Sequence, residues 1–475
     1  CLVGSEMCIR DRSWSREIMK NCWQKVVFTK NCTCLNGNKI KKSGVRRLKR
    51  KWILWIAMIL FCVAAGAGND TKAQAGTLST RGVWISAFEY EDLGLVGTMS
   101  ESQFRANAAS VFAKVKANGC NTVYFHVRSF DDAIYPSKVV GWSERFTKGK
   151  GAPSYDPLKI LIDTAHRYGL KFHAWMNPYR VTFKKVLDPA EDATTDRIVS
   201  QVREIINKYK VDGIHFDDYF YPNNEKKYKK LSKAEKMSAV NKMVRKVHST
   251  VKAKSSRLLF GISPAGNPTY CHQIGADVET WLSNPGYVDY IIPQIYWTNQ
   301  YLENGKKTAY FSKKLAQWRQ MNKRDIPMYI GLALERAGGK LELDPGWLSS
   351  SRNLADMIKE IRKGNTEGYV LFDYSSLYRD VTQKEVKNYL AEITSFRLSR
   401  TKKTLKTGKK FKLSVRRVWP SRVQGKIRFK SSNKKVATVS KKGVIKAKKK
   451  GKATITITTV EGNVKAKIKV TVKKK

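Results

Sequence analysis

The stretch DGIHFDDYFYP, residues 212–222, begins with an alternation of apolar and polar side chains that is typical of a β-strand with two unlike faces. Ile214 and Phe216 form the apolar set, and His215 and Asp217 form the other set. In a barrel of parallel strands, alternate residues point into the lumen while the others pack against the surrounding helices. The pattern therefore predicts a barrel strand that directs His215 and Asp217 inward.

Seven further β-type runs surround this stretch, and amphipathic helical segments separate them. These runs are GVWIS (82–86), NTVYFHV (121–127), LKFHAWMN (170–177), LLFGIS (258–263), VDYIIPQIYW (288–297), PMYIGLAL (327–334) and GYVLFDY (368–374). Strands that alternate with helices pair in parallel through right-handed crossovers. Eight such units predict an α/β fold, a (β/α)8 TIM barrel over residues 76–394. A doubly wound open sheet is the competing fold, but no glycine-rich phosphate loop follows the first run to favour it.

Helix-start and helix-stop signals support the helices between the strands. Ser100 with Gln103 resembles a capping box. Asp156 and Pro157 supply an N-cap residue followed by a proline at the first helical position, and Gly169 is expected to end that helix.

The chain changes character after residue 394. The net charge of the whole protein is +52, and residues 397–475 hold 29 lysines and arginines against one acid, Glu461. Charged residues there alternate with Val, Ile and Thr between turn signals, which predicts a small all-β module over 395–475. Within it, SSNKKVATVSKKGVIKAKKKGKATITITT (431–459) resembles the bacterial Ig-like group 2 repeat. This resemblance implies a small Ig-like sandwich.

Residues 1–75 read as a leader segment. The first thirteen residues resemble translated adaptor sequence, and the stretch 39–51 is a basic region followed by an apolar run over 52–67. Small residues then follow, so we expect a signal peptide or an N-terminal membrane anchor. The leader predicts a secreted or cell-surface protein.

The inward sets of the strands place polar and aromatic side chains at one end of the predicted barrel. Besides His215 and Asp217, the alternation assigns Tyr124, His126, Arg128, His173, Trp175, Asn177, Gln294, Tyr296 and, on the face of Tyr369, Asp373 to the inside. Active sites of such barrels lie at the carboxyl ends of the strands. The sequence therefore predicts a functional site there.

Asp217 and Asp218 are the best candidates for catalytic carboxylates. Neighbouring acids push their pKa values apart, so that one can donate a proton while the other stays ionised. Adjacent residues point oppositely in a regular strand, so both can serve only if the strand ends or bulges there. The alternative is that Asp218 caps the following loop while Asp217 pairs with Arg128.

Other side chains near the strand ends suit a carbohydrate. Trp175, Tyr219, Tyr221 and Trp297 could stack on sugar rings, and Asn177, Arg180, Ser263, Asn267 and Gln294 could hydrogen-bond sugar hydroxyl or acetamido groups. The alternatives are that the aromatic rings fill the top of the barrel and that the polar groups fix loops.

Six motifs resemble those of the glycosyl-hydrolase-like family 10 proteins. They are FHVRSFDDAIYPS (125–137), FHAWMNPYR (172–180), DGIHFDDYFYP (212–222), GISPAGNP (261–268), PQIYW (293–297) and YVLFDYSSL (369–377). The resemblance implies a glycoside hydrolase that acts on cell-wall or other extracellular glycans, with peptidoglycan strands favoured, and no cofactor. The family motif positions in this chain are Arg128, Asp132, His173, Asn177, Arg180, Asp218, Gln294 and Tyr296, while Asp217 takes the position of a key catalytic Asp on strand 4.

The general acid stays open at this point, because the fifth strand ends in GISPAGNP and brings no Glu. One mechanism uses Asp218 as the acid and Asp217 to orient an N-acetyl group of the substrate. The other uses Asp217 as the nucleophile, with Glu89, Glu335 or Asp373 as the acid.

Two other functions compete with glycosidic cleavage. His126, His173 and His215 with Asp217 could hold zinc in a metal-dependent hydrolase, although no HExxH motif supports it. A non-catalytic glycan-binding barrel is the second competitor. For the basic module we expect anionic cell-wall polymers as partners and no nucleic acid, because no nucleic-acid-binding signature accompanies the charge.

Overall fold

The computed structural model describes residues 73–74, 80–222, 225–364, 368–390, 395–419, 427–459 and 464–474. Within these residues the chain forms two units, one over 80–390 and the other over 395–474 together with Ala73 and Gln74. The predicted leader lies outside the described residues apart from Ala73 and Gln74. Across the described ranges, no helix combines the length and the apolar character that crossing a bilayer requires.

Eight parallel strands form the first unit. They are β1 (Thr80–Ile85), β2 (Thr122–Arg128), β3 (Lys171–Met176), β4 (Gly213–Phe216), β5 (Leu259–Ile262), β6 (Tyr290–Ile291), β7 (Tyr329–Ala333) and β8 (Gly368–Phe372). Each strand pairs with its successor from β1 to β6, β7 pairs with β8, and β8 pairs with β1. Parallel bridges from Ile291 to Met328 and from Gln294 to Gly331 join β6 to β7 and close the ring. The predicted (β/α)8 barrel is confirmed, and the open sheet is wrong.

Helices connect the strands on the outside of the ring. The principal ones are α1 (Glu101–Ala117), α2 (Pro157–Arg167), α3 (Asp192–Lys208), α4 (Lys233–Lys254), α5 (Val278–Ser283), α6 (Tyr310–Met321), α7 (Asn353–Ile361) and α8 (Gln383–Leu390). Shorter helical turns are Ala87–Glu89, Glu144–Thr147, Lys226–Lys229, Pro268–Gln273, Leu334–Arg336, Gly346–Ser349, Ser375–Leu377 and Asp380–Thr382. Two small strand pairs, Asp132–Ala133 with Gly141–Trp142 and Tyr301–Glu303 with Lys306–Thr308, lie in loops.

The N-cap signals in the sequence are confirmed, although only one half of the capping box expected at Ser100 forms. Ser100 Oγ accepts a hydrogen bond from the backbone N–H of Gln103 at 3.3 Å. Asp156 caps α2 in the same way, and Pro157 is the first residue of that helix. Gly169 follows α2 with φ +65°, a conformation that glycine adopts without strain.

The barrel has two separate apolar layers. Phe172, Ala174 and Met176 of β3 and Ile214 and Phe216 of β4 pack outward against the helices, as the alternation predicts. The lumen is filled by a cluster made of Trp84, Tyr124, Trp175, Tyr290, Ile292, Tyr329 and Val370. Aromatic rings thus occupy positions that aliphatic side chains take in many barrels.

The orientation predicted for β8 is wrong. Val370 belongs to the cluster in the lumen, whereas Tyr369 packs in the outer layer, where its ring lies edge-to-face with Tyr389. Asp373 is therefore not brought inward by the strand alternation. It follows the last residue of β8, and its direction is set by the loop.

The sixth strand is much shorter than the sequence run that predicts it. The run covers residues 288–297, but only Tyr290 and Ile291 form a regular strand. Pro293 has no backbone N–H, so it cannot continue the ladder of hydrogen bonds. Beyond it the chain pairs through single bridges at Gln294.

The second unit consists of antiparallel strands with one parallel pair. Its strands are β9 (Ser395–Leu398), β10 (Lys402–Lys406), β11 (Lys410–Lys412), β12 (Val415–Trp419), β13 (Ile427–Ser431), β14 (Ala437–Val439), β15 (Val444–Ala447), β16 (Gly451–Thr459) and β17 (Lys465–Lys473). They form sheets in the orders β10-β17-β16-β13 and β11-β15-β14, and a third in which β9 lies between β12 and the Ala73–Gln74 strand. The predicted small all-β module is confirmed.

Candidate active site

Asp217 follows the last residue of β4 and is 2% exposed. One of its carboxylate oxygens accepts a hydrogen bond from the backbone N–H of Asp218 at 2.9 Å. Burial raises the pKa of Asp217 to about 6, against the opposing effects of the Asp218 hydrogen bonds, the Arg180 charge and the Trp175 indole. This carboxyl group therefore changes its charge near neutral pH, as a catalytic group requires.

Asp218 is as deeply buried as Asp217. Because β4 ends at Phe216, both acids lie beyond the regular strand, which meets the condition under which adjacent residues can act at one site. A hydrogen bond from the Asp218 side chain also lowers the pKa of Asp217. The two groups therefore interact through both backbone and side chain.

Glu335 lies in the helical turn that follows β7. One carboxylate oxygen accepts a hydrogen bond from Arg336 Nε at 3.3 Å, and the other is buried with no hydrogen-bond partner in the described part of the protein. Burial and, to a smaller extent, the Asp373 charge raise the pKa of Glu335 to about 7, while Arg336 lowers it. Glu335 is therefore partly protonated near neutral pH.

The Tyr296 hydroxyl links these acids into one cluster. Its pKa is raised well above the ordinary value, first by burial and then by the charges of Glu335 and Asp217, with a smaller effect from Asp218. The hydroxyl is buried and has no hydrogen-bond partner among the described residues. The charges of acids at the ends of β4 and β7 thus both raise the pKa of one phenol.

The three inward histidines are uncharged and engaged with neighbours. Burial lowers the pKa of His126 and of His173 to about 3, and that of His215 well below its usual range. His126 Nδ1 faces the Ala87 N–H at 3.4 Å, and His173 Nδ1 hydrogen-bonds the Tyr290 hydroxyl. His215 Nε2 lies 3.0 Å from Ser263 Oγ. No group of three His, Cys, Asp or Glu side chains that could hold a metal occurs in the described residues.

Arg128 is used by the protein itself. Its guanidinium is 1% exposed, donates to the backbone carbonyl of Asn177 and forms an ion pair of 2.9 Å with Asp131. Arg197 also pairs with Asp131, at 2.7 Å. The sequence-based alternative of an Arg128–Asp217 pair is not what the structure contains. Arg128 fixes the ends of β2 and β3 relative to each other.

Several other predicted residues hold loops in place. Asn267 caps the helix Pro268–Gln273, and Lys314 Nζ donates to its side-chain oxygen at 3.1 Å. Asp132 accepts from the Phe130 N–H at 3.0 Å. Asp373 accepts from Ser375 Oγ at 2.9 Å and from Ser376 Oγ at 2.6 Å.

Glu89, a sequence-based alternative for the acid, has a comparable structural role. Its two carboxylate oxygens accept from the backbone N–H groups of Ser86 at 2.6 Å and of Ser375 at 2.7 Å. Burial raises its pKa well above the usual value. Of the three alternatives in the sequence, Glu335 is the one with a fully buried carboxylate oxygen that has no hydrogen-bond partner in the described residues.

The predicted aromatic and amide groups differ in their exposure and in their hydrogen bonding. Trp175 is 4% exposed and stacks on the His126 ring with centroids 3.8 Å apart, so it is part of the filled lumen. Tyr219 is partly exposed beneath the Arg180 guanidinium, which lies 3.7 Å from its ring centroid. Trp297 is also partly exposed. The side-chain oxygens of Asn177 and Gln294 are buried and lack a partner in the described residues.

An exposed aromatic pair near the site was not predicted. Phe88 and Phe183 are 42% and 57% exposed, and their rings stack with centroids 5.9 Å apart. They lie in the loops after β1 and β3. Arg180 contacts both the Phe183 ring, at 5.9 Å, and Tyr219. No strand or helix periodicity covers these loops, so the only sequence signal is a lone phenylalanine in a polar stretch.

Comparisons with known proteins agree with this architecture. A family model for glycosyl hydrolase-like 10 proteins matches residues 79–188 and 184–349, and one for the bacterial Ig-like domain of group 2 matches residues 392–472. Glycosyl hydrolase DigH of Escherichia coli (strain K12) is 28% identical over 401 residues, which cover 68% of this chain and 89% of the relative. Glycosyl hydrolase YngK of Bacillus subtilis (strain 168) is 28% identical over 369 residues, which cover 65% of this chain and 69% of the relative.

A solved structure, the PgaB (BpsB) glycoside hydrolase domain from Bordetella bronchiseptica, aligns with a TM-score of 0.43 at 12% identity and covers 65% of this chain and 98% of that domain. The first model spans five of the six barrel motifs, all except YVLFDYSSL (369–377), and the second spans the Ig-like stretch 431–459. This chain belongs to the glycosyl hydrolase-like 10 family and carries a bacterial Ig-like domain of group 2 after its barrel.

Proposed function

We propose that this chain is an exported glycoside hydrolase that cleaves O-glycosidic bonds in cell-wall or other extracellular glycans, with peptidoglycan strands as the preferred substrate. The observation that carries the proposal is that Asp217, at the end of β4, and Glu335, in the turn after β7, both raise the pKa of the buried Tyr296 hydroxyl. Glycosidic cleavage needs a proton donor for the leaving oxygen and an anion facing the positive charge that develops on the sugar. The cluster supplies one group suited to each task.

Glu335 is the general acid in this proposal, and Asp217 is the anion. A group with a pKa of about 7 is protonated at slightly acidic pH, whereas one with a pKa of about 6 is already largely ionised there. Asp218 stabilises the ionised form of Asp217 through its hydrogen bonds. Arg180, Tyr219, Trp297, Asn177 and Gln294 would bind the sugar, with the histidines and Trp175 supporting them.

This assignment differs from the mechanism in which Asp218 is the acid and Asp217 orients an acetamido group. The difference rests on the pKa of Glu335, which burial raises to about 7, and on the effect of its charge on the Tyr296 hydroxyl. The two mechanisms separate experimentally, because only the first makes Glu335 indispensable.

The direct test is product analysis by mass spectrometry. Purified peptidoglycan and a panel of soluble glycans are incubated with the full chain, with Asp217→Asn and with Asp163→Asn. Asp163 is an exposed residue of α2 and controls for the loss of one carboxylate. We expect new reducing ends with the wild type and Asp163→Asn and none with Asp217→Asn. Binding without turnover by all three chains would instead make the barrel a glycan-binding protein.

The substrate preference has a specific expected outcome. GlcNAc–MurNAc strands should yield products, while neutral plant glucans should not. Turnover of another glycan in the panel but not of peptidoglycan would support the proposed glycosidase activity and contradict the proposed substrate. Activity that is lost on chelation and restored by zinc would instead favour the metal-dependent hydrolase.

The Ig-like unit has a separate role in the proposal. Its excess of lysine and arginine would hold the enzyme on anionic polymers of the cell surface, and the leader segment would export it. The basic charge lies mainly outside the barrel, so retention and catalysis are assigned to different units.

A further inference from the structure

The sheet β10-β17-β16-β13 has one buried and one exposed side. Along β17, Ala466, Ile468 and Val470 are buried, and the lysines between them are exposed. The exposed lysines of this strand include Lys465, Lys467 and Lys469. On β13, Arg428 and Lys430 are exposed in the same alternation. Cations therefore project from two strands on the same side of the sheet.

Threonines occupy the strand between these cations. In one row across the sheet, Lys465 of β17 lies opposite Thr458 of β16, which lies opposite Arg428 of β13. The next row has the same order, with Lys467, Thr456 and Lys430. Short hydroxyl side chains thus form a floor between two walls of long cationic side chains. We call this feature the cationic trough; it consists of Arg428, Lys430, Thr456, Thr458, Lys465, Lys467 and Lys469.

Solubility alone does not account for this arrangement. In the same sheet, Lys402 of β10 lies directly opposite Lys469, and Lys406 lies opposite Lys473. Like charges in such cross-strand pairs destabilise a sheet. A mixture of both signs would keep the surface soluble without that penalty. The described strands of this sheet contain no acid, so the face is built for one sign of charge.

We propose that the cationic trough binds an extended polyanion whose repeating charge is a phosphodiester, as in a polyol phosphate polymer of a cell surface. This deepens the retention role proposed above and rests on it. Lysine and arginine neutralise the phosphates, while threonine hydroxyls on the floor donate hydrogen bonds to their oxygens. Successive cations along β17 are about 7 Å apart, a repeat that a regular linear polymer can follow.

A nucleic acid is disfavoured because the described strands of this sheet place no aromatic ring on this side. Single-stranded nucleic acids bind through rings that stack on their bases. Phe429, the aromatic residue of β13, alternates with Arg428 and Lys430 and therefore lies on the other side of the sheet. Nucleic acid binding is accordingly one of the outcomes that would contradict the proposal.

The test uses the full chain and poly(glycerol phosphate) as the probe, with the dissociation constant measured at several salt concentrations. The trough variant carries R428Q, K430Q, K465Q, K467Q and K469Q. The control variant carries K410Q, K446Q, K448Q, K449Q and K450Q, which removes the same charge from exposed positions outside this sheet. Thermal unfolding verifies that both variants fold.

We expect the trough variant to bind the probe at least about tenfold more weakly, with a shallower dependence on salt, and the control variant to stay within about threefold of wild type. Equal losses in both variants would mean that net charge alone retains the protein. That result would contradict the trough as the binding site and would still support retention by the Ig-like unit. No loss in either would overturn the trough as well.

Two further probes test the chemical class. Polygalacturonate carries carboxylates, and single-stranded DNA carries phosphodiesters with bases. Tighter binding of either one than of poly(glycerol phosphate) would overturn the proposed ligand class. The Asp217→Asn chain should bind the probe as wild type does, so failure of the glycosidase proposal and failure of the trough are distinguishable.

Discussion

Burial decides the chemistry of the individual acids in this barrel. Burial is the largest cause that raises the pKa values of Glu335 and Asp217 to about 7 and about 6, and no single charged neighbour has an effect of that size. In the proposed mechanism Glu335 must be protonated to act, so activity should fall as pH rises through about 7. Asp217 must be ionised in that mechanism, so activity should fall as pH drops through about 6. The optimum should lie between these values.

The variant Glu335→Gln cannot donate a proton. We expect it to lower kcat by about 10²- to 10⁴-fold and to remove the alkaline limb of the pH profile, with the acidic limb retained. Initial rates on a soluble oligosaccharide between pH 4 and pH 9 measure both effects. Glu342→Gln, an exposed glutamate in the same loop region, serves as the control. A pH profile in which Glu335→Gln matches wild type would return the acid role to Asp218.

A second buried acid affects stability instead of catalysis. Glu385 of α8 accepts a hydrogen bond from the Leu354 N–H, and burial raises its pKa to about 7. The unfolded chain releases this proton at its ordinary, lower pKa. The free energy of unfolding therefore declines as pH rises from the unfolded value to about 7.

Glutamine at position 385 keeps the hydrogen-bond acceptor and removes the charge. We expect Glu385→Gln to melt at a higher temperature than wild type at pH 8, with the difference shrinking toward pH 4. Thermal unfolding followed by circular dichroism at five pH values measures this trend. A difference that does not vary with pH would show that the charge of Glu385 is not the cause.

The sequence predicted side-chain directions correctly along β2, β3 and β4, where alternation directs His126, His173 and His215 inward. Along β8 the two faces were exchanged, because both are apolar and the pattern does not tell them apart. Asp373 follows β8 and takes its direction from the serines of its loop, and the Arg128–Asp131 ion pair forms in a turn that periodicity does not describe.

Among the elements, the loops after β1 and β3 carry an exposed aromatic pair, and Arg180 contacts both Phe183 of this pair and Tyr219. Phe88 and Phe183 stack on each other and remain exposed, which suits a sugar ring bound beyond the cleaved bond. Phe183→Ala should raise KM severalfold on long glycans while leaving kcat on short ones near wild type. The exposed Leu348→Ala is the control for losing an apolar surface residue. A loss confined to kcat would contradict this role.

Close packing between β5 and β6 depends on a glycine. A Cβ added at Gly261 would lie 1.6 Å from the Tyr290 ring, whereas a Cβ at Gly141 would meet nothing within 4 Å. We expect Gly261→Ala to destabilise the barrel by about 1–3 kcal/mol or more, because the ring that contacts His173 must move. Gly141→Ala should be close to neutral. Chemical denaturation of both variants measures the difference.

Element boundaries were predicted best where residues with distinctive backbone properties, such as a cap residue followed by proline, lie at them. Asp156 with Pro157 correctly marks the start of α2, and Asn267 with Pro268 is the same signal, which could have identified Asn267 as a cap in advance. The length of β6 was overestimated, since apolar character continues through residues whose hydrogen bonding is interrupted by Pro293. An apolar run predicts that a segment is buried, but it does not predict which of its residues pair with a neighbouring strand.

At the scale of the whole molecule, each unit buries its own apolar residues, and the positive charge is most concentrated in the Ig-like unit. The number of strands and their order in the barrel follow from the repeated alternation of strand and helix, so the sequence could predict them. The exact pairing inside the Ig-like unit could not be predicted, because its strands are short and similar in composition, and register then depends on turns.

Removal of residues 395–475 should therefore separate retention from catalysis. We expect the shortened chain to hydrolyse a soluble oligosaccharide at a rate near that of the full chain and to lose salt-sensitive retention on isolated cell walls. Sedimentation with cell walls at low and high salt measures retention. Unchanged sedimentation of the shortened chain would assign retention to the barrel.

The opposed lysines of β10 and β17 connect the folding of the Ig-like unit to its surroundings. Their mutual repulsion weakens the folded sheet most in dilute solution, and any polyanion that engages only the native arrangement shifts the equilibrium back toward it by mass action. The module would then resist proteases least in free solution and most when docked. The resistance of the module to proteolysis would then depend on the polymer to which it is bound.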